Sequence, residues 1–245
     1  MRNFYHTILI NIHRIIFYLV KSHIWLLDVD KHTDEERYGL ANEMITKMNK
    51  SSGYETIAIG QEKLPKEGGY MMYPNHQGKY DVLGIFTTHE KPCSFVMDEK
   101  RSHLILVREF LGLVKGKKII LDNPKQTITV FRQMAEELKN GRKFILFPEG
   151  GYKENNRNIV EDFKAGSFKV AQMAKVPIVP VALVDSYKVY NSDEHYGPTK
   201  TFVYYLDSIP YSEYKSMKTK EIAAIVRQRI VDKIEEHLND ITNRS

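Results

Sequence analysis

Cysteine is almost absent: Cys93 is the only one in 245 residues. No internal disulfide framework can form, and the chain suits a reducing compartment. Cys93 stands in an apolar, strand-like run with no base near it in sequence, so a covalent thiol nucleophile is not evident and a small buried side chain is expected. Gly-x-Ser-x-Gly is also missing, which removes the strand-to-helix elbow of the serine hydrolases. The nine histidines form no close cluster, so no metal is expected. Long hydrophobic runs are lacking too. The nearest, between residues 8 and 20, is interrupted by His13 and Arg14 and is marginal against the roughly 20 apolar residues a membrane span needs. No small-residue cleavage site follows it, so a signal peptide is not expected. No internal repeat, low-complexity segment or long linker divides the chain.

What is present suffices for one good core. With 42% hydrophobic residues, the chain is expected to form one α/β domain over 53–245 preceded by a helical unit over 1–52. The net charge of +5 and a pI near 9.0 favour anionic partners, such as a phospholipid surface, a nucleic acid or an acidic carrier protein. No nucleic-acid-binding motif accompanies the charge, so a nucleic acid is not expected.

Residues 1–27 combine an apolar stretch with Arg2, Arg14 and Lys21, and with the interfacial aromatics Phe4, Tyr5, Phe17, Tyr18 and Trp25. This composition suits a helix lying in a membrane surface. A helix packed on the domain's own core is the alternative. A second helix is expected over 33–50, with Thr33 as its cap, an acidic first turn, and Ser51-Ser52-Gly53 at its end.

Beyond residue 53, strand and helix signals alternate. Strands are predicted at 55–59, 69–73, 93–97, 118–121, 143–147, 178–183 and 201–206. Helices are predicted at 81–88, 101–111, 124–139 with Pro124 at the first position, 165–174 and 219–238. Such alternation argues an α/β fold with a largely parallel central sheet flanked by helices, whose sites lie beyond the carboxyl ends of the strands.

Two chemistry-bearing segments fall at such ends. The first reads Tyr73-Pro74-Asn75-His76-Gln77-Gly78-Lys79-Tyr80-Asp81. On one continuous helix, a spacing of five would turn Asp81 about 140° from His76. Pro74, Asn75 and Gly78 supply turn chemistry instead, so His76 is expected just past a strand and Asp81 at the start of the next helix, where the two can meet. An imidazole whose other nitrogen is held by a carboxylate can take a proton from a hydroxyl. The second segment is Phe147-Pro148-Glu149-Gly150, and a third motif, Val176-Pro177-Ile178-Val179-Pro180-Val181, follows.

In the order Asn-His-x4-Asp, Phe-Pro-Glu-Gly, Val-Pro-x-x-Pro-Val, the chain resembles the glycerolipid acyltransferase superfamily, typified by 1-acyl-sn-glycerol-3-phosphate acyltransferase. The likeness runs from about Tyr54 to Leu183 and includes the connecting Glu161-Asp162-Phe163-Lys164-Ala165-Gly166. The resemblance implies transfer of a fatty acyl group from a thioester donor to a lysophospholipid hydroxyl, with His76 as general base oriented by Asp81. Acyl-coenzyme A or acyl-acyl-carrier-protein would be the donor, with no bound cofactor. Glu149, Gly150, Asn75, Lys100 and Lys153 would contact the acceptor, and Lys100 occupies the place of a lysine found in many relatives. The setting implied is the cytoplasmic face of a membrane.

The chain also departs from the pattern. Where relatives commonly read Phe-Pro-Glu-Gly-Thr-Arg-Ser, it has Gly151, Tyr152 and Lys153, and where they often end a strand with Asp-Arg it has Asp122-Asn123. Both usual phosphate-gripping arginines are absent, and Lys153 or Lys125 replaces only their charge. Lys115, Lys117 and Lys118 are further phosphate candidates. A different, non-phosphate acceptor is therefore the alternative to lysophosphatidate. A thioesterase or lipase and a non-catalytic membrane-binding module are the other classes to be tested.

Overall fold

Seven short runs rich in β-branched and aromatic residues form one sheet in the computed structural model, which describes residues 2–153, 156–190 and 197–243. The strands are β1 (Tyr54–Ile59), β2 (Tyr70–Pro74), β3 (Ser94–Asp98), β4 (Lys117–Ile119), β5 (Lys143–Ile145), β6 (Ile178–Val184) and β7 (Thr199–Tyr205). The helices are α1 (Arg2–Ile10), α2 (Ile12–Leu27), α3 (Asp34–Ser52), α4 (Asp81–Thr88), α5 (Ile105–Leu113), α6 (Pro124–Lys139), α7 (Lys169–Ala174), α8 (Tyr187–Tyr190), α9 (Tyr211–Tyr214) and α10 (Thr219–Thr242).

The sheet order is β1-β7-β6-β2-β5-β3-β4. Strands β6, β2, β5, β3 and β4 run parallel, while β7 is antiparallel to β6 and carries β1 parallel to itself. The sheet is thus largely parallel, with a reversed pair at one edge. Strand β2 is central and wholly buried, and its alternating side chains feed both layers. Met71 and Tyr73 join the core under α6, α7 and α10, whereas Tyr70 and Met72 join the core under α3, α4 and α5.

The helix signals act through ordinary capping. Thr33 and Glu36 close a reciprocal box at the start of α3, and Asn123 accepts from the Gln126 N–H before Pro124 opens α6. Some boundaries differ from the pattern. The helix predicted over 101–111 begins only at Ile105, after a 3-10 turn at Glu99–Arg101. The one predicted over 165–174 is a 3-10 turn, Ala165–Phe168, followed by the short α7.

The N-terminal segment breaks at buried Asn11, whose Oδ1 accepts from Arg14 and Ser51 and whose Nδ2 bonds the Thr7 carbonyl. One face of α2, with Ile15, Tyr18 and Ser22, is buried against the domain. The other presents Ile12, Ile16, Phe17, Val20, Ile24 and Leu27, exposed by 48–75%. Packing on the core therefore occupies one side of the helix and leaves an apolar stripe on the other. Among the described residues no helix is long and apolar enough to cross a membrane. The Arg2 side chain lies outside the described residues.

Candidate active site

Strand β2 ends at Pro74, and the chain turns through Asn75 to Gly78 before α4 begins at Asp81. This turn brings His76 Nδ1 to 2.7 Å from Asp81 Oδ2. The same oxygen accepts the backbone N–H groups of Gln77 and Gly78 at 2.6 and 2.9 Å. A carboxylate so placed only accepts, so Nδ1 carries the proton and Nε2 is left as the acceptor. Among the described residues nothing hydrogen-bonds that Nε2, and the side chain is 16% exposed while that of Asp81 is wholly buried. Phe147 stacks on the imidazole at 4.1 Å, and Tyr152 meets it edge-on at 4.8 Å.

Glu149 follows β5 and reaches back to the same loop. Its Oε1 accepts the His76 backbone N–H at 2.9 Å, while Oε2 is buried without a hydrogen-bond partner among the described residues. Burial pushes this carboxyl up to about 8, a shift that the His76 N–H opposes and the nearby negative charges of Asp81 and Glu161 increase. That shift favours the protonated, neutral form of the carboxyl near neutral pH. Gly150 has φ 76°, a conformation that favours glycine, whereas the Lys164 Nζ that a Cβ there would meet at 2.3 Å ends a flexible side chain and can move aside.

The remaining sequence-predicted residues are placed differently. Asn75 is fully buried and its amide clasps the Leu183 peptide, accepting from its N–H at 2.7 Å and donating to its carbonyl at 3.1 Å. That pair of hydrogen bonds ties the turn after β2 to β6. Lys153 is 72% exposed and pairs with Glu161 at 2.8 Å. Lys100 lies exposed in the turn after β3. Lys115 and Lys117 pair with Asp30 and Glu137, away from His76.

Four participants escaped the sequence reading. Arg101, next to Lys100, lies over the Tyr152 ring at 5.5 Å, and Tyr152 in turn touches His76. Ser186 donates to Asp81 Oδ1 at 2.6 Å, and Gln77 lies between Ser186 and Asn158. The position of Ser186 two residues past the end of β6, at a strand's carboxyl end, was the available signal.

A family model described as Acyltransferase matches residues 56–184. Over 166 residues the chain is 29% identical to a putative 1-acyl-sn-glycerol-3-phosphate acyltransferase of Caenorhabditis elegans, covering 66% of this chain and 57% of that protein. Over 188 residues it is 26% identical to the 1-acyl-sn-glycerol-3-phosphate acyltransferase of Saccharomyces cerevisiae, covering 75% and 61%. The chain thus spans about three fifths of the length of these two relatives. Its fold is similar to that of the 1-acyl-sn-glycerophosphate acyltransferase PlsC from Thermotoga maritima, with a TM-score of 0.74, 22% identity and coverage of 96% and 92%.

Proposed function

The chain belongs to the acyltransferase family, and we propose that it moves a fatty acyl group from a thioester donor to the free hydroxyl of 1-acyl-sn-glycerol-3-phosphate, making phosphatidic acid. The observation that carries this reading is the His76–Asp81 pair at 2.7 Å, with Nε2 unengaged at the carboxyl end of the parallel sheet. In the step proposed, Nε2 takes the hydroxyl proton as the oxygen attacks the thioester carbonyl, and Asp81 stabilises the imidazolium that forms. The tetrahedral intermediate then collapses to the ester, the carbon–sulfur bond breaks, and the imidazolium returns the proton to the departing thiolate. Acyl-coenzyme A or acyl-acyl-carrier-protein supplies that thioester.

Glu149, beside His76, presents its Oε2 to an acceptor oxygen. For the phosphate, geometry favours Arg101 over Lys153, because Lys153 is already paired with Glu161 and Arg101 reaches His76 through Tyr152. Lys164, with Nζ above Gly150, is a further cation at this end, and Lys100 lies beside Arg101. Within the helical unit 1–52, the exposed stripe of α2 seats the protein on the cytoplasmic face of a membrane, where acceptor and product reside. One labelled acyl thioester offered with a panel of lysolipid and alcohol acceptors, read by product mass, tests the reading. Phosphatidic acid is the expected product. No acylation of lysophosphatidate beside clear acylation of an uncharged acceptor would transfer the proposal to a non-phosphate substrate, a reading favoured by Tyr152 standing where relatives carry arginine.

A further inference from the structure

Asp81 has two oxygens, and only one of them faces the imidazole. Oδ2 gathers three donors, from His76, Gln77 and Gly78, while Oδ1 receives one, the Ser186 hydroxyl at 2.6 Å. All of this is dry: Asp81 is 1% exposed and Ser186 is 4% exposed. The serine proton has two possible acceptors, Asp81 Oδ1 and, at 2.9 Å, Gln77 Oε1. The charged and nearer oxygen wins it.

The surrounding contacts hold Ser186 at that spot. Gln77 spends its amide N–H groups on the Leu183 carbonyl and Asn158 Oδ1, which turns its Oε1 toward Ser186 and the Tyr187 N–H. Asn158 and Asp185 bond each other twice, through the Asp185 N–H at 2.9 Å and the Asn158 amide at 3.0 Å. Lys188 neutralises the far side of Asp185 at 2.7 Å. Three segments distant in sequence, the turn after β2, the stretch around Asn158 and the end of β6, thus converge on one hydroxyl.

We propose that Ser186 is a positioning residue for the reaction: its hydroxyl fixes the Asp81 carboxylate so that Oδ2 stays on His76 Nδ1 and Nε2 stays aimed at the acceptor. The inference rests on the acyl-transfer reading above. The Ser186 hydroxyl bonds Asp81 and Gln77 and not the imidazole, so its effect on rate is proposed to pass through Asp81. Losing it leaves Oδ1 without a donor in a site closed to water, and the carboxylate is then free to turn about its own bond.

The test compares Ser186→Ala, Ser186→Thr, Asp81→Asn, the double variant Ser186→Ala/Asp81→Asn and His76→Ala in one assay with acyl-coenzyme A and lysophosphatidate on anionic vesicles. Ser186→Ala is expected to lower kcat about tenfold with both KM values held within about twofold. Ser186→Thr, which keeps the hydroxyl, is expected to restore most of the rate. In the Asp81→Asn background the Ala substitution is expected to cost nothing further, because the partner it acts through is already gone. A parent-like kcat for Ser186→Ala, or the same factor lost in both backgrounds, would overturn the inference. If Ser186→Ala is recovered unfolded, Ser186→Cys takes its place: its weak thiol donor is expected to give the same loss of kcat, and parental activity overturns the inference equally. An active His76→Ala would sink the dyad itself, whereas an inactive His76→Ala beside an unaffected Ser186→Ala would sink only the role of the serine.

Discussion

Carboxylates gather at both ends of the central sheet, but their surroundings differ. At the amino ends of β3 and β5, a cleft of about 530 Å³ is lined by Asp34, Glu137, Lys117, Arg142 and Lys143, with Cys93 in its wall. Here Asp34 and Glu137 both meet cations. Arg142 reaches Asp34 at 2.7 Å and Glu137 at 3.3 Å, Lys117 also pairs with Glu137, and buried Arg37 bonds Asp34 together with the carbonyls of Leu113, Val29 and His32. At the carboxyl ends, Asp81 and Glu149 are more deeply buried and pair with no lysine or arginine among the described residues. Backbone N–H groups, a serine and an imidazole satisfy Asp81, and one oxygen of Glu149 has no hydrogen-bond partner among the described residues. Neutralised pairs hold helices to a sheet, whereas carboxyls held only by neutral donors keep their capacity to orient, take or lend protons. The amino-end cleft therefore reads as the structural end, and the carboxyl end is the one proposed for chemistry.

Three changes should sharpen or break this contrast. The largest effect is expected from Asp81→Asn, which keeps the shape but loses the charge and the correct imidazole tautomer. Acyl transfer should fall about 10³-fold while the unfolding midpoint moves little. A comparable loss of both, measured by rate assay and thermal melt, would make Asp81 another structural carboxylate. Next comes Arg37→Leu at the opposite end. It strands the carbonyls that the guanidinium serves and should cost about 3 kcal/mol in urea unfolding, with turnover per folded molecule unchanged. A rate loss without destabilisation would tie the amino-end network to the chemistry.

The smallest effect belongs to Glu149→Gln and depends on pH. Glu149 is raised from 4.5 to about 8 in the folded chain. Between those values the unfolded chain binds fewer protons than the folded one, so stability is fullest below about 4.5 and declines until pH passes about 8. Glutamine can still accept the His76 N–H and does not ionise. The variant should match the parent near pH 5 and exceed it by about 2 kcal/mol near pH 8.5 in urea unfolding. Parallel stability curves for the two proteins would show that Glu149 is not a carboxyl buried without compensation.

Much of the chemical end was legible in the sequence because its parts are local. A spacing of five between His76 and Asp81, with Pro74, Asn75 and Gly78 between, leaves a turn as the arrangement that lets the two side chains meet, and the turn is found. Glu149 followed from its place after an apolar run. Ser186 did not, since its bond to Asp81 joins residues 105 apart and no periodicity records such a contact. The surroundings of the phosphate candidates were illegible for a similar reason: sequence shows a lysine's charge but not whether an acid such as Glu161, Asp30 or Glu137 lies beside it. Strand identity was read from the apolar runs, while the reversed β7–β1 pair was not, because direction depends on how the chain returns rather than on composition. In the N-terminal segment the packing of one face of α2 on the domain was not legible, since α2 is apolar on two faces and only packing decides which is covered.

The account stands most directly on the transfer rate of purified His76→Ala, measured with a labelled acyl thioester beside the parent under identical lipid conditions. Removal of the imidazole paired with Asp81 should cut transfer by about 10³-fold or more, with circular dichroism and unfolding midpoint unchanged. Transfer at near the parental rate by a folded His76→Ala protein would contradict it.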